Sequence, residues 1–198
     1  MTEILNLYYS RHGSVRELSR HIAAGVESED NCIAKLRTAP PVSTVCEAIE
    51  SNIPDEGDPY VSLDDLSTCN DLALGSPTHF GNMVAPLKYF LDQTAPQWLS
   101  SALKGKPAAV FISTSSMHGG QASTLLAMMI PLFHHGMILT GIPFPGFPLP
   151  VTTSGGTPYG ASHVAGGDNT HPVSQDEKQV CAILGKRLAT FSKKLQSH

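Results

Sequence analysis

Ile4-Leu5-Asn6-Leu7-Tyr8-Tyr9 runs directly into Ser10-Arg11-His12-Gly13-Ser14-Val15, and this junction decides the fold. An apolar run that stops at hydroxyls and a glycine, then opens an amphipathic helix, reads as strand, turn and helix N-terminus. Backbone N–H groups at such a terminus have no helical partner, and the helix dipole adds partial positive charge there. Ser10 and Ser14 can add hydroxyl donors, and Gly13 lets the backbone turn closely around an oxyanion. The plainer alternative is that the two serines only cap the helix. Which anion is held has to be decided by the rest of the chain.

Outward from this junction, Val15, Leu18, Ile22 and Val26 recur at three- and four-residue steps and predict the first helix. Asn31 to Arg37 alternates as a second strand, and Thr38 to Tyr60, polar and broken by Pro40, Pro41, Pro54 and Pro59, reads as a long surface excursion. Ser62 to Leu66 reads as a short capped helix, and Asp71 to Gly75 as a buried third strand. Ser76-Pro77-Thr78-His79-Phe80-Gly81-Asn82-Met83 then has the composition of a loop. A helix carrying Leu87, Phe90 and Leu91 follows, with Pro86 tolerable only in its first turn.

Ala108 to Ile112 is the fourth strand, ending in Ser113-Thr114-Ser115-Ser116-Met117-His118-Gly119-Gly120. A helix over Leu125 to Phe133 is closed by His134-His135-Gly136, and Met137 to Thr140 is the fifth strand. Gly141 to Pro172 reads as a second long irregular stretch, and the last helix opens at Ser174 with Glu177 in capping-box spacing. Five short apolar strands separated by helices predict one α/β domain over residues 1–198. Its sheet is doubly wound, parallel and five-stranded, with helices on both faces.

In such a sheet the C-terminal strand ends share one edge, where ligands bind at a topological switch point. The first, third and fourth strands all end there in Ser, Thr, Gly and Pro, which describes one extended site. The first loop suits a phosphate. The other two, with amides beside Pro77, Phe80 and Trp98, suit a flat heterocycle, and the combination points to a mononucleotide with a large planar ring. No G-x-x-x-x-G-K-[ST], G-x-G-x-x-G or G-x-S-x-G occurs, and the first loop has no cysteine for a phosphatase.

Apolar residues at 41% and charged residues at 15% fit a globular chain, and the net charge of -4 argues against a nucleic-acid binder. No apolar stretch approaches the roughly 20 residues that span a bilayer. Cys32, Cys46, Cys69 and Cys181 are scattered without a C-x-x-C pair, as expected of reduced thiols in a cytoplasmic protein. His134 and His135 diverge by about 100° on a helix and cannot share a metal face, so no metal site is expected.

Tyr8-Tyr9-Ser10, the S-x-x-G-x-V turn, Gly75 to Met83, His134-His135-Gly136-Met137 and Gly155-Gly156-Thr157-Pro158-Tyr159-Gly160-Ala161-Ser162 occur in this order along the chain. In them the chain resembles the WrbA-type NAD(P)H:quinone oxidoreductases, which are flavodoxin-like FMN enzymes. The resemblance implies that Ser10, Arg11, His12, Gly13, Ser14 and Val15 hold the FMN phosphate. It implies that Pro77, Thr78, His79, Phe80 and Gly81 border the isoalloxazine ring, and that Ser113, Thr114, Ser115 and Ser116 line its other side and the ribityl chain. Trp98 and His134 are similar to family positions over the ring, His134 reaching from a neighbouring subunit or loop and serving as the candidate catalytic group. Phe80, Trp98 and His12 would meet the substrates.

The resemblance further implies non-covalent FMN, NAD(P)H as co-substrate, quinones as acceptors and a homotetramer or a dimer in equilibrium with one. Two-electron ping-pong turnover would avoid semiquinones, a benefit under oxidative stress. Three positions depart from the family: His79 often stands as Arg, His12 often as Tyr, and Met117-His118 alters a more glycine-rich loop. The alternatives from the residues are a flavodoxin-type electron carrier, or an FMN-binding regulatory protein without turnover. Phe80 and Trp98 could also be plain core or rim aromatics, and His79 and His118 solvated loop residues.

Overall fold

The computed structural model describes residues 1–42, 57–144 and 149–196. The middle of the excursion after Thr38, with Cys46, lies outside them.

Strands β1 (Thr2–Tyr8), β2 (Cys32–Thr38) and β3 (Asp71–His79) carry the apolar runs. β5 (Pro107–Thr114) is buried along its whole length. With the two-residue β6 (Ile138–Leu139) they form a parallel sheet in the order β2-β1-β3-β5-β6. The order reverses at β1 and β3, and this creates a switch point at their C-terminal ends.

Helices α1 (Ser14–Glu27) and α6 (Gln175–Gln196) cover one face; α2 (Leu63–Thr68), α3 (Ala85–Asp92) and α5 (Gln121–His134) cover the other. The side-chain alternation of the strands feeds both layers. Leu5, Leu7, Leu72, Leu74, Val110 and Ile112 meet α3 and α5, while Ile4, Tyr8, Ala73, Ala109 and Phe111 meet α1 and α6. Each fully buried Leu or Ile in these layers contributes about 1.5–3 kcal/mol of apolar transfer. Gly25 of α1 lies against the backbone of Ala182, and Gly185 of α6 against that of Ile22, so the two helices cross with no room for a Cβ at either place.

Both predicted caps form. Ser62 and Asp65 exchange bonds of 2.8 and 3.1 Å at the start of α2, and Ser174 and Glu177 exchange bonds of 2.7 and 3.2 Å at the start of α6. Glu177 does more than cap. Its buried carboxylate also accepts from the Gly155 and Val164 N–H groups and meets His163 Nδ1 at 3.0 Å. Burial pushes this carboxyl up, but these bonds outweigh it and hold it well below the usual carboxylate range.

Three local readings are corrected. The fifth strand is split: β6 pairs only with the start of β5, and β7 (Ala161–Val164), inside the stretch expected to be irregular, pairs with its end as Phe111↔Ala161 to Thr114↔Val164. The segment expected to be a loop after Gly75 continues as strand to His79 and folds back as β4 (Asn82–Met83). Helix α5 begins at Gln121, four residues before its first predicted position.

Candidate functional site

The phosphate-type turn is built as its residues suggest. Gly13 precedes α1 with φ 94° and offers no side-chain cap, and the first helical bond is Glu17 N–H to the Gly13 carbonyl at 2.9 Å. The N–H groups of Ser14, Val15 and Arg16 therefore have no helical acceptor. Neither serine caps the helix. Ser10 Oγ accepts from the Gly13 N–H at 3.1 Å, which pins the turn.

Above this turn, at the C-terminal ends of β1, β3 and β5, is a cleft of about 200 Å³. Ser10, Arg11, His12, Ser14 and Val15 line it from the first loop, Pro77, Thr78 and His79 from the end of β3, and Ser113, Thr114 and Ser115 from the end of β5. Eleven of the residues inferred for the cofactor thus face one space. The Thr78 hydroxyl is buried and meets no partner among the described residues, as expected of a group that awaits a ligand. Unfilled helix N–H groups, a left-handed glycine, clustered hydroxyls and the unpaired Thr78 fit an FMN phosphate with its polyol chain.

Asn169, in the segment between β7 and α6, also lines the cleft, with φ 59°. Sequence reasoning missed it. Its one signal was an Asn in a Gly-rich segment, where a left-handed backbone is tolerated.

Other inferred residues lie elsewhere. Gly13 faces the two cavities that flank the turn. Ser116 is exposed, its carbonyl accepting from the Thr114 hydroxyl at 2.9 Å. Phe80 and Gly81 are the two-residue turn of the β3–β4 hairpin, at φ 51° and 75°; both values are positive, as a type I′ turn requires. Phe80 is a costly residue there, and its side chain is fully exposed.

Phe80, Trp98 and His134 do not converge within one chain. Trp98 sits on α4 (Ala95–Leu99) and His134 at the end of α5, where the Trp98 Nε1–H donates to the His134 carbonyl at 2.8 Å. Both face a second, apolar groove of about 510 Å³ between α3, α4 and α5, with Leu91, Ile130 and Pro131. Trp98 is 52% exposed, Ile130 59% and Phe133 61%, which leaves a broad apolar surface around the groove.

A further cavity of about 510 Å³ opens between the ends of β1 and β2, walled by Tyr9, Arg11, Arg16 and Tyr60. It shares Ser10, Arg11 and His12 with the cleft, so His12 stands where the two meet. At its base the Tyr8 hydroxyl donates to Asp58 at 2.6 Å; burial and this carboxylate push the phenol up. Among the described residues no cluster of His, Cys, Asp and Glu could hold a metal ion, and no helix is long and apolar enough to cross a membrane.

Known proteins resemble this chain in family and in fold. The family described as NADPH-dependent FMN reductase matches residues 8–145. A protein of Solidesulfovibrio magneticus named NAD(P)H dehydrogenase (quinone) is 35% identical over 98% of this chain and 99% of its own length. Among solved structures, a WrbA-like flavodoxin from Agrobacterium tumefaciens superposes with TM-score 0.68 at 17% identity, covering 98% of this chain and 99% of its own. Oxidised flavodoxin 2 from Bacillus cereus reaches 0.64 at 16% identity, over 96% and 99%. These two similarities establish the flavodoxin-like fold.

Proposed function

The chain belongs to the NADPH-dependent FMN reductase family, alongside the NAD(P)H:quinone dehydrogenases, and on that premise we propose that it is an FMN-dependent NAD(P)H:quinone oxidoreductase. The observation that carries this reading is the meeting of three hydroxyl- and amide-bearing loops in one cleft at the sheet's switch point. FMN, held by the first loop and the ends of β3 and β5, would supply the redox chemistry between NAD(P)H and a quinone.

The chain's own work is to bind, orient and enclose. Ser10 to Val15 hold the phosphate through N–H groups and hydroxyls, with Arg11 adding positive charge. Pro77, Thr78 and His79 would border the ring on one side and Ser113 to Ser115 would line the other and the polyol, with Phe80 and Gly81 at the exposed hairpin turn and Ser116 outside the cleft lining. N–H groups along these loops put partial positive charge where negative charge develops on the ring. His12, between the cleft and the neighbouring cavity, meets the nicotinamide nucleotide.

Trp98 and His134 complete the pocket from a neighbouring copy in a homotetramer or a dimer in equilibrium with it. Trp98 forms a wall for the quinone, and His134 gives a proton to its oxygen or stacks on it. The apolar surface carrying both residues supports this assembly. NAD(P)H and quinone would be bound in turn in a two-electron ping-pong scheme, an outcome that would avoid quinone radicals under oxidative stress. All 198 residues act as one domain. Cys32, Cys69 and Cys181 are buried free thiols, which supports a reducing, cytoplasmic setting.

Anaerobic addition of NADH and then benzoquinone to the FMN-loaded protein tests the reading. Bleaching of the flavin band by NADH and its full return with quinone are expected. A persistent long-wavelength blue absorbance without quinone-dependent NADH oxidation would overturn it in favour of a one-electron carrier. An FMN-loaded protein that oxidises neither NADH nor NADPH would point to a regulatory role.

A further inference from the structure

Two independent bonds tie α4 to the end of α5. One is Trp98 Nε1–H to the His134 carbonyl at 2.8 Å; in the other, His135 Nε2 lies 2.9 Å from Thr94 Oγ1. Thr94 is buried at the junction of α3 and α4, and its carbonyl accepts from the Trp98 N–H at 3.0 Å. Its hydroxyl has one proton, which goes to the Leu91 carbonyl 2.7 Å away. Toward His135 the Thr94 oxygen can therefore only accept. Nε2 must carry the proton, and the imidazole is neutral with a bare Nδ1. That Nδ1 is itself buried and has no partner among the described residues. The opposite tautomer would bury an N–H without an acceptor and take the Thr94 proton from Leu91.

We infer that His135 is a positioning residue: as the neutral Nε2–H tautomer it clamps α4 to α5 and fixes Trp98 relative to His134, and a second proton, on Nδ1, opens the clamp. Only the consequence for turnover rests on the proposed role of Trp98 and His134. The groups around the ring give that second proton no support. His134 is its neighbour in the chain, and Asp92 on α3 is engaged by Lys88 at 2.5 Å. Lys104 packs beside Gly136, and α4 has no charged residue. Burial, then the adjacent His134, hold the His135 imidazole below its ordinary range. The clamp is closed at neutral pH and opens as pH falls.

Trp98 is the single tryptophan, so its emission reads this corner directly. The experiment follows that emission from pH 7.5 to pH 4.5, with and without FMN, beside far-ultraviolet dichroism to register unfolding. The wild-type protein is expected to show one transition with a midpoint below 6.5, the ordinary histidine value, while its helical signal holds. His135→Gln can still donate to Thr94 but cannot take the proton. It should keep the neutral-pH spectrum and lose the transition, whereas His134→Gln should keep the transition. Thr94→Val, which removes the acceptor, should show the acid-type spectrum already at pH 7.5.

In turnover, the quinone KM should rise at acid pH in wild type and stay flat in His135→Gln. A flat wild-type titration, a transition that survives His135→Gln, or one that His134→Gln abolishes would overturn the inference. Absence of quinone turnover at every pH would count against the proposed function and leave the emission result standing.

Discussion

The cleft over the first turn and the groove beside Trp98 are both concave, but they are finished to different degrees. The cleft is small and polar, and three strand ends of one chain form its walls. The groove is larger and apolar, and Ile130 in its lining and Phe133 on the same helix stay exposed among the described residues. A parallel sheet can complete a cofactor site by itself, because all its strand ends emerge on one edge. The outer faces of its helices gain water-excluding walls only from another molecule.

The strongest way to break this contrast is to charge the groove. Ile130→Glu with Phe133→Glu should dissociate the proposed assembly and lower quinone turnover by about 100-fold or more, since each carboxylate buried in it would have to shed its water. Sedimentation and steady-state assays check this. FMN bound as tightly and turned over as fast by the resulting monomers would show that the groove plays no part.

Next in size, Ser10→Ala with Ser14→Ala should raise the FMN dissociation constant about 10- to 100-fold, the loss of one or two hydrogen bonds to a charged group. Flavin fluorescence titration measures it; an unchanged constant would remove the phosphate assignment.

Asp71 sharpens the contrast from outside both sites. It is fully buried at the start of β3, on the opposite edge of the sheet, and burial pushes its carboxyl up to about 7, against smaller offsets from Ser192 and Lys106. The folded state therefore binds its proton more tightly than the unfolded chain does. Stability falls as pH rises from about 4 to 7 and levels off above that. Asp71→Asn should gain on the order of 1–2 kcal/mol at pH 8 and nothing at pH 4, with FMN affinity unmoved. Urea unfolding at the two pH values decides it. The smallest effect belongs to His118→Ala, which should change neither FMN affinity nor turnover by more than about twofold; a larger change would enlarge the site beyond the lining described.

Much of this was legible in the chain because it is written by neighbouring residues. The spacing of Val15, Leu18, Ile22 and Val26 specifies α1, the Ser174–Glu177 pair opens α6, and Gly13 marks the turn. The family pattern likewise named most of the cleft. What escaped depends on distant partners or on broken local rules. The division of the fifth strand between β6 and β7 is decided by which segments lie beside β5. Pro77, without an N–H, and Phe80, a bulky residue with positive φ, disguised a hairpin as a loop. Asn169 reaches the cleft from a segment far along the chain, and the separation of Trp98 and His134 from it depends on helix placement.

The close crossing of α1 and α6 also has a consequence in time. α6 is synthesised after every other element described here, yet it covers the helix whose N-terminus forms the first turn. Strands β1, β2, β3 and β5 can pair while the chain is still growing on the ribosome. α1 can settle on these strands as they form, but its flank against α6 stays in water until Val180, Leu184 and Leu188 have emerged. Flavin capture is thus a late event of biogenesis, and ribosome-bound chains stalled before α6 should not retain the cofactor.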